Sequence, residues 1–120
     1  MELPNYRNGS IVNLMSSIAG AFGTKLEYRE LGLLPAKELK DSKNIVLMVF
    51  DGLGYEYLKS KPSLLRNLSR GKITSVFPPT TASAITTFVT GTAPQQHTST
   101  GWYMYLKEIG ITSVIMRFCP

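Results

Sequence analysis

The sequence predicts an α/β protein, built as a partial parallel sheet flanked by helices. Three observations carry that expectation. Residues 44–50 hold an unbroken apolar run, Ile45-Val46-Leu47-Met48-Val49-Phe50, as a strand covered on both faces requires. Residues 73–76 and 111–116 are two further short strand-like runs. Helical patterns lie between these runs, so strand and helix alternate along the chain.

The chain has 120 residues, of which 43% are apolar and 18% charged. That is a globular composition with room for one small core. Residues 1–43 read as an N-terminal helix and a connecting segment. Residues 44–120 read as an incomplete α/β domain, because a sheet of three strands keeps exposed edges.

Each element has a local reason. Over residues 10–22, Ile11, Leu14, Met15, Ile18 and Phe22 recur at spacings of three and four, Ser10 is placed to cap the start, and Gly23 to end the helix. Residues 24–42 are irregular, with Gly32 and Pro35 as breakers. After the 44–50 strand, Asp51-Gly52-Leu53-Gly54 turns the chain into a basic helical region over 55–70, interrupted near Pro62. Pro78-Pro79 ends the 73–76 strand. A helix over 81–90 follows, with Ala82, Ile85, Phe88 and Val89 as its apolar stripe and Gly91 as its stop. Residues 92–100 read as a loop, 101–109 as a helix, and 111–116 as the last strand. Trp102, Tyr103, Met104 and Tyr105 are expected to pack the core.

The net charge is +5, from 13 Lys and Arg against 8 Asp and Glu. Lys59, Lys61, Arg66, Arg70 and Lys72 have no acid among them. They read as a solvated helix face, with a field that attracts phosphate esters or nucleic acid as the alternative. No aromatic residues interleave with them, so no specific nucleic-acid binding is expected. The single Cys119 excludes an internal disulfide and a cysteine-cluster metal site. No apolar run approaches the roughly 20 residues that span a bilayer. Ala19-Gly20-Ala21 has the form of a signal cleavage site, but Asn13, Ser16 and Ser17 interrupt the apolar stretch before it. A cytoplasmic protein with no membrane partner is expected.

Two positions suit chemistry. Asp51 follows the apolar strand directly, at the edge where open α/β sheets bind ligands, and a carboxylate there suits a cation. Its plain alternative is a helix cap. Thr80 and Thr81 open a helix after Phe77-Pro78-Pro79. A helix start offers unpaired N–H groups to phosphate, and a Thr hydroxyl there attacks phosphorus if a metal lowers its pKa. The plain alternative is again a cap. Both positions lie at strand-to-helix junctions, and right-handed connections would put them on one edge of the sheet. His97, the only histidine, reads as a structural loop residue. Gly52-Leu53-Gly54 lacks the third glycine of a dinucleotide fingerprint, and Gly23-Thr24-Lys25 has the wrong order for a P-loop.

The stretch Asn-Ile-Val-Leu-Met-Val-Phe-Asp-Gly-Leu-Gly over 44–54 resembles the opening strand of the alkaline phosphatase superfamily. The stretch over 77–97, from Phe77-Pro78-Pro79-Thr80-Thr81 through Val89-Thr90-Gly91 to Pro94 and His97, is similar to the nucleophile segment of its type I phosphodiesterase and nucleotide pyrophosphatase branch. The resemblance covers residues 44–118. Registering on Val89-Thr90-Gly91 puts the nucleophile at Thr81 and matches Asp51 to the first metal-binding aspartate. In the nucleotide pyrophosphatases a downstream Asn helps hold the phosphoryl oxygens, and Trp102 occupies that position here.

The resemblance implies the N-terminal portion of an alkaline-phosphatase-like fold. It implies a metal-dependent hydrolase of phosphodiesters or nucleotide pyrophosphates, with Thr81 as nucleophile and Asp51 and Thr81 as metal ligands. The complete enzyme would hold two divalent cations, expected to be zinc, and act on a small phosphate ester or a nucleotide. Such a two-metal site takes about six protein ligands, mostly Asp and His. After Asp51 the only acids are Glu56 and Glu108. The remaining ligands are therefore expected from a C-terminal half, and the chain reads as truncated and inactive alone. The alternatives are a non-catalytic phosphate- or nucleotide-binding module and an unstable gene fragment.

Overall fold

A computed structural model describes residues 2–116. Cys119 and the last two residues of the resemblance, 117 and 118, lie outside the described residues.

Helix α1 spans Ile11–Ala21, as the periodicity predicts. Ser10 is extended at the N-cap, and the Asn13 side chain reaches back to accept from its amide and its hydroxyl. Gly23, with φ of 80°, takes the left-handed conformation just past the end, and the Thr24 amide closes on the Ala19 carbonyl. Beyond it the chain runs irregularly, as expected, with one 3₁₀ turn at Ala36–Glu38. Leu31 is buried there, its amide donating to Ser17 Oγ of α1 at 2.8 Å.

The run over 44–50 is the first correction. It pairs with no neighbour among the described residues, and Val46, Met48 and Phe50 are exposed. An apolar run records what a strand would bury, but a strand needs a neighbouring backbone, and none lies alongside. The 73–76 strand likewise reduces to a single parallel bridge between Ser10 and Thr74.

Helices α2, Tyr55–Ser60, and α3, Leu64–Leu68, break at Pro62 as expected. Ser63 caps α3 by accepting from the Arg66 amide. The basic stretch is exposed, but acids from outside it meet two of its members. Arg70 pairs with Glu38 at 2.6 Å, and Lys72 pairs with Glu2 at 2.5 Å.

Helix α4 spans Thr81–Thr90. Gly91 ends it at φ of 69°, a conformation that a Cβ penalises. The expected 92–100 loop contains a short helix α5, Pro94–His97, opened by its proline.

The expected 101–109 helix is a β-hairpin instead. Strand β1, Tyr103–Leu106, pairs antiparallel with β2, Ile111–Val114, through a turn closed at Gly110 with φ of 67°. Tyr103 and Tyr105 point outward while Met104 and Leu106 are half-buried, a period of two that fits a strand. Trp102, Tyr103 and Tyr105 are thus exposed, not core residues. This hairpin is the one sheet among the described residues, so the sheet is antiparallel where a parallel one was expected.

The core forms where α1 packs on α4. Ile11, Val12, Val76 and Ala93 are buried, with Tyr6, Tyr28, Ile73, Ala84 and Phe88 against them. Residues 1–43 thereby share one core with residues that follow 44. Among the described residues the fold is a mixed one, five α-helices and a two-stranded hairpin, with α4 held from beneath by α1.

Candidate active site

The start of α4 is set by two neighbouring threonines with different jobs. Thr80 is the N-cap: its side chain accepts from the Ser83 amide at 3.2 Å and meets Ser83 Oγ at 2.8 Å. Thr81 is the first helical residue, and its hydroxyl is not used for capping. It donates toward Asp51 Oδ2 at 3.4 Å instead. The two residues picked out by sequence therefore meet, 30 positions apart in the chain.

Asp51 is exposed and sits in a tight turn. Gly52 at φ of 77° lets the backbone reverse there, with the Leu53 amide returning to the Phe50 carbonyl. Asp51 does not cap α2, which starts after Gly54. Capping uses the Ser83 amide, while the Thr81 and Ala82 amides ahead of it have no intrahelical acceptor. The helix start thus carries partial positive charge beside an exposed carboxylate and a hydroxyl.

The approach to this helix is anchored from the N-terminus. The Phe77 amide donates to Tyr6 Oη at 3.0 Å, and Thr74 bonds to Gly9 and Ile11 through its backbone. Sequence reasoning missed Tyr6. It lies 71 residues from Phe77 and belongs to no motif, so nothing local points to it.

His97 is elsewhere and is tied up. Its Nδ1 accepts from the Ser99 amide at 3.1 Å, which leaves the proton on Nε2, facing Thr87 Oγ1 at 3.1 Å. Burial pushes its pKa below the usual imidazole value. Nε2 thus ties the end of α5 to α4, while Nδ1 holds the backbone just beyond α5 at Ser99. Trp102 is partly exposed at the entrance to β1, where its carbonyl accepts from the Ile115 amide.

Could a cation sit between Asp51 and Thr81? A good O–H···O bond is about 2.7–2.8 Å, so 3.4 Å is long for one. Two oxygens each about 2.1 Å from a tetrahedral zinc lie about 3.4 Å apart. The pair therefore fits as two donors to one cation. Among the described residues no group of three or more His, Cys, Asp or Glu is placed to hold a metal. Also among them, no helix is long and apolar enough to cross a membrane.

The family model for type I phosphodiesterase / nucleotide pyrophosphatase matches residues 45–116, more than half of the chain. The matched stretch contains both Asp51 and Thr81. No curated protein and no solved structure matches the chain.

Proposed function

Since the chain belongs to the type I phosphodiesterase / nucleotide pyrophosphatase family, we propose that it carries the nucleophile and first metal ligand of a metal-dependent phosphate-ester hydrolase. Phosphodiesters and nucleotide pyrophosphates are the substrate class. The single observation behind this reading is the 3.4 Å approach of Thr81 Oγ1 to Asp51 Oδ2 at the open start of α4.

Asp51 and Thr81 would hold one divalent cation, zinc on this reading, through one oxygen each. When bound, the cation lowers the pKa of the Thr81 hydroxyl so that its alkoxide forms near neutral pH. The Thr81 oxygen would attack phosphorus while one ester or pyrophosphate oxygen leaves opposite it, so that phosphorus becomes linked to Thr81 and keeps its other ester group. Water would then break the Thr81–phosphorus link, release the phosphate monoester and restore the hydroxyl. The Thr81 and Ala82 amides face the phosphoryl oxygens as charge develops on them. Before attack Asp51 would orient the hydroxyl by accepting its hydrogen bond, and the proton would pass to water as the oxygen attacks. A two-metal site of this kind would need further Asp and His donors besides Asp51 and Thr81, and in an alkaline-phosphatase-like fold 44–50 would be the strand that carries Asp51. On this reading the chain alone is inactive, and its setting is the cytoplasm.

The test supplies the missing donors. Co-expressed with the C-terminal half of a family member, the chain is expected to hydrolyse bis(p-nitrophenyl) phosphate in the presence of zinc. Thr81→Ala should remove that activity, by at least about a thousandfold for loss of a nucleophile. Near-normal hydrolysis by the Thr81→Ala protein refutes the assignment.

One observation favours a second reading. The described residues hold no three-donor cluster, which suits a module that binds phosphate or a nucleotide without turnover. Zinc titration of the isolated chain separates the two. Tight binding of two ions at one site contradicts the donor count and favours the enzyme.

A further inference from the structure

A second cleft lies away from the Asp51–Thr81 pair. Its volume is about 470 Å³, and Tyr6, Arg7, Glu27, Tyr28 and Arg29 line it. That is within the range of about 300–1,000 Å³ typical of small-molecule sites. None of the residues at the start of α4 belongs to it.

Four features make this cleft more than a surface dent. First, its two walls are joined by a buried clamp. The Asn13 side-chain amide donates to the Tyr6 carbonyl at 3.0 Å and to the Arg29 carbonyl at 2.8 Å. Second, its aromatic rings are held in place. Tyr6 and Tyr28 lie with centroids 6.0 Å apart at 57°, and each hydroxyl is engaged, Tyr6 by the Phe77 amide and Tyr28 by Gln95 Nε2. Third, the side chains of Arg7 and Arg29 make no ion pair or hydrogen bond among the described residues. Two guanidinium groups left unpaired beside a cleft suit a phosphate. Fourth, Glu27 accepts from Gln96 Nε2, so its carboxylate is fixed and keeps acceptor capacity for an amine or hydroxyl.

We propose that this cleft is a binding site for a nucleoside monophosphate, with the base against the Tyr6–Tyr28 rings and the phosphate between Arg7 and Arg29. The ring pair offers a face for a flat heterocycle. Glu27 faces the ribose hydroxyls or the exocyclic amine of the base. A bare phosphate would leave the rings unused, and a bare nucleoside would leave the arginines unused. Tyr6 also holds the Phe77 amide, so occupancy of the cleft touches the approach to α4. The inference does not rest on the hydrolase reading.

The experiment is calorimetric titration of the chain with adenosine 5′-monophosphate, adenosine and inorganic phosphate. One saturable site is expected for the monophosphate, and at least about tenfold weaker binding for either half, since charge-assisted contacts and base stacking each contribute about a factor of ten or more. Arg7→Ala with Arg29→Ala should weaken the monophosphate at least about tenfold, and Tyr28→Leu about as much. Both arginines are exposed, and among the described residues their side chains make no internal bonds. Circular dichroism should therefore be unchanged, and it separates lost binding from lost folding. Four outcomes overturn the proposal: no saturable binding by the unmodified chain up to about 1 mM; unchanged affinity in the arginine double variant; phosphate bound as tightly as the monophosphate; or a signal removed by Thr81→Ala and kept by the arginine variant, which would assign the binding to the start of α4.

Discussion

Asn13 offers the sharpest test of how this small core is held. It is fully buried, and its side chain makes four hydrogen bonds. Oδ1 accepts from the Ser10 amide and hydroxyl, and Nδ2 donates to the carbonyls of Tyr6 and Arg29. An Asn→Asp change keeps the shape and the two acceptor contacts while turning the donor nitrogen into an oxygen. Two carbonyls then lose their donor and face a carboxylate. A buried acceptor left unmet costs about 1–3 kcal/mol. Both carbonyls are partly buried, so the low half of that range applies, and the sum is about 2–4 kcal/mol. Confining the new charge adds to it. A domain of this size has about 5–15 kcal/mol in total, so Asn13→Asp should take a large share of the stability. The assay is urea unfolding followed by circular dichroism, comparing Asn13→Asp, Asn13→Ala and Asn8→Ala. Asn8 makes one exposed side-chain bond, to Asn5, and its loss should stay within about 0.5 kcal/mol. A midpoint for Asn13→Asp equal to that of the unmodified chain refutes the clamp.

Three further outcomes follow from single positions. Gly91→Ala forces a side chain into the left-handed conformation and sets its Cβ 2.6 Å from Leu26 Cδ1, so thermal unfolding should show a loss of at least about 1–2 kcal/mol from the backbone alone. His97 has a folded pKa below its unfolded value, so the unfolded chain binds the extra proton first; its contribution is whole above the unfolded pKa near 6.5 and is lost as pH falls through the lowered folded value, which unfolding midpoints across that range should record and His97→Gln should flatten. Met48→Lys, at a side chain that is 70% exposed, should shift stability by no more than about 0.5 kcal/mol while raising solubility in a sedimentation assay.

The parts of the fold that sequence foresaw are those whose causes are local. Helices α1 and α4 carry their own cap and their own glycine stop, and both appear within a residue or so of the expected bounds. The expected apolar stripes, however, are not their buried faces: α1 buries Val12, Asn13, Ser16 and Ser17 beside Ile11 while Phe22 is exposed, and α4 buries Ala82, Ser83 and Thr87 while Val89 is exposed. The break at Pro62 is equally local. The errors share one cause, which is dependence on a neighbour. The run 44–50 has the composition of a buried strand, yet strand pairing is a relation between two segments. Residues 103–106 form a strand where a helix is expected because their apolar content masks a period of two, and Gly110 marks the turn that folds them back. At the site, Asp51 and Thr81 were legible because turn glycines and prolines punctuate the chain beside them. Which of Thr80 and Thr81 caps the helix, and that Tyr6 and Asn13 hold distant segments, depends on three-dimensional partners that no spacing encodes.

The meeting of Asp51 and Thr81 does not come from the sheet edge that first suggested it. That argument needed a parallel sheet to bring two strand ends together, and the described residues hold none. The approach is instead fixed from the α4 side. Thr74 is stitched to Gly9 and Ile11, Tyr6 holds the Phe77 amide, Thr80 caps the helix, and α4 lies on α1. Asp51, by contrast, follows an unpaired segment, and among the described residues its side chain is held by one long bond to Thr81. Thr81 is therefore the fixed member of the pair and Asp51 the adjustable one. For the proposed roles of Thr81 as nucleophile and Asp51 as metal ligand, that is the useful division. The attacking oxygen needs a set direction relative to the helix amides, whereas a carboxylate on a glycine turn tolerates small shifts in where a cation settles. It follows that residues 5–11, although they precede the family-matched stretch, help fix the start of α4 and with it the direction of the proposed Thr81 nucleophile.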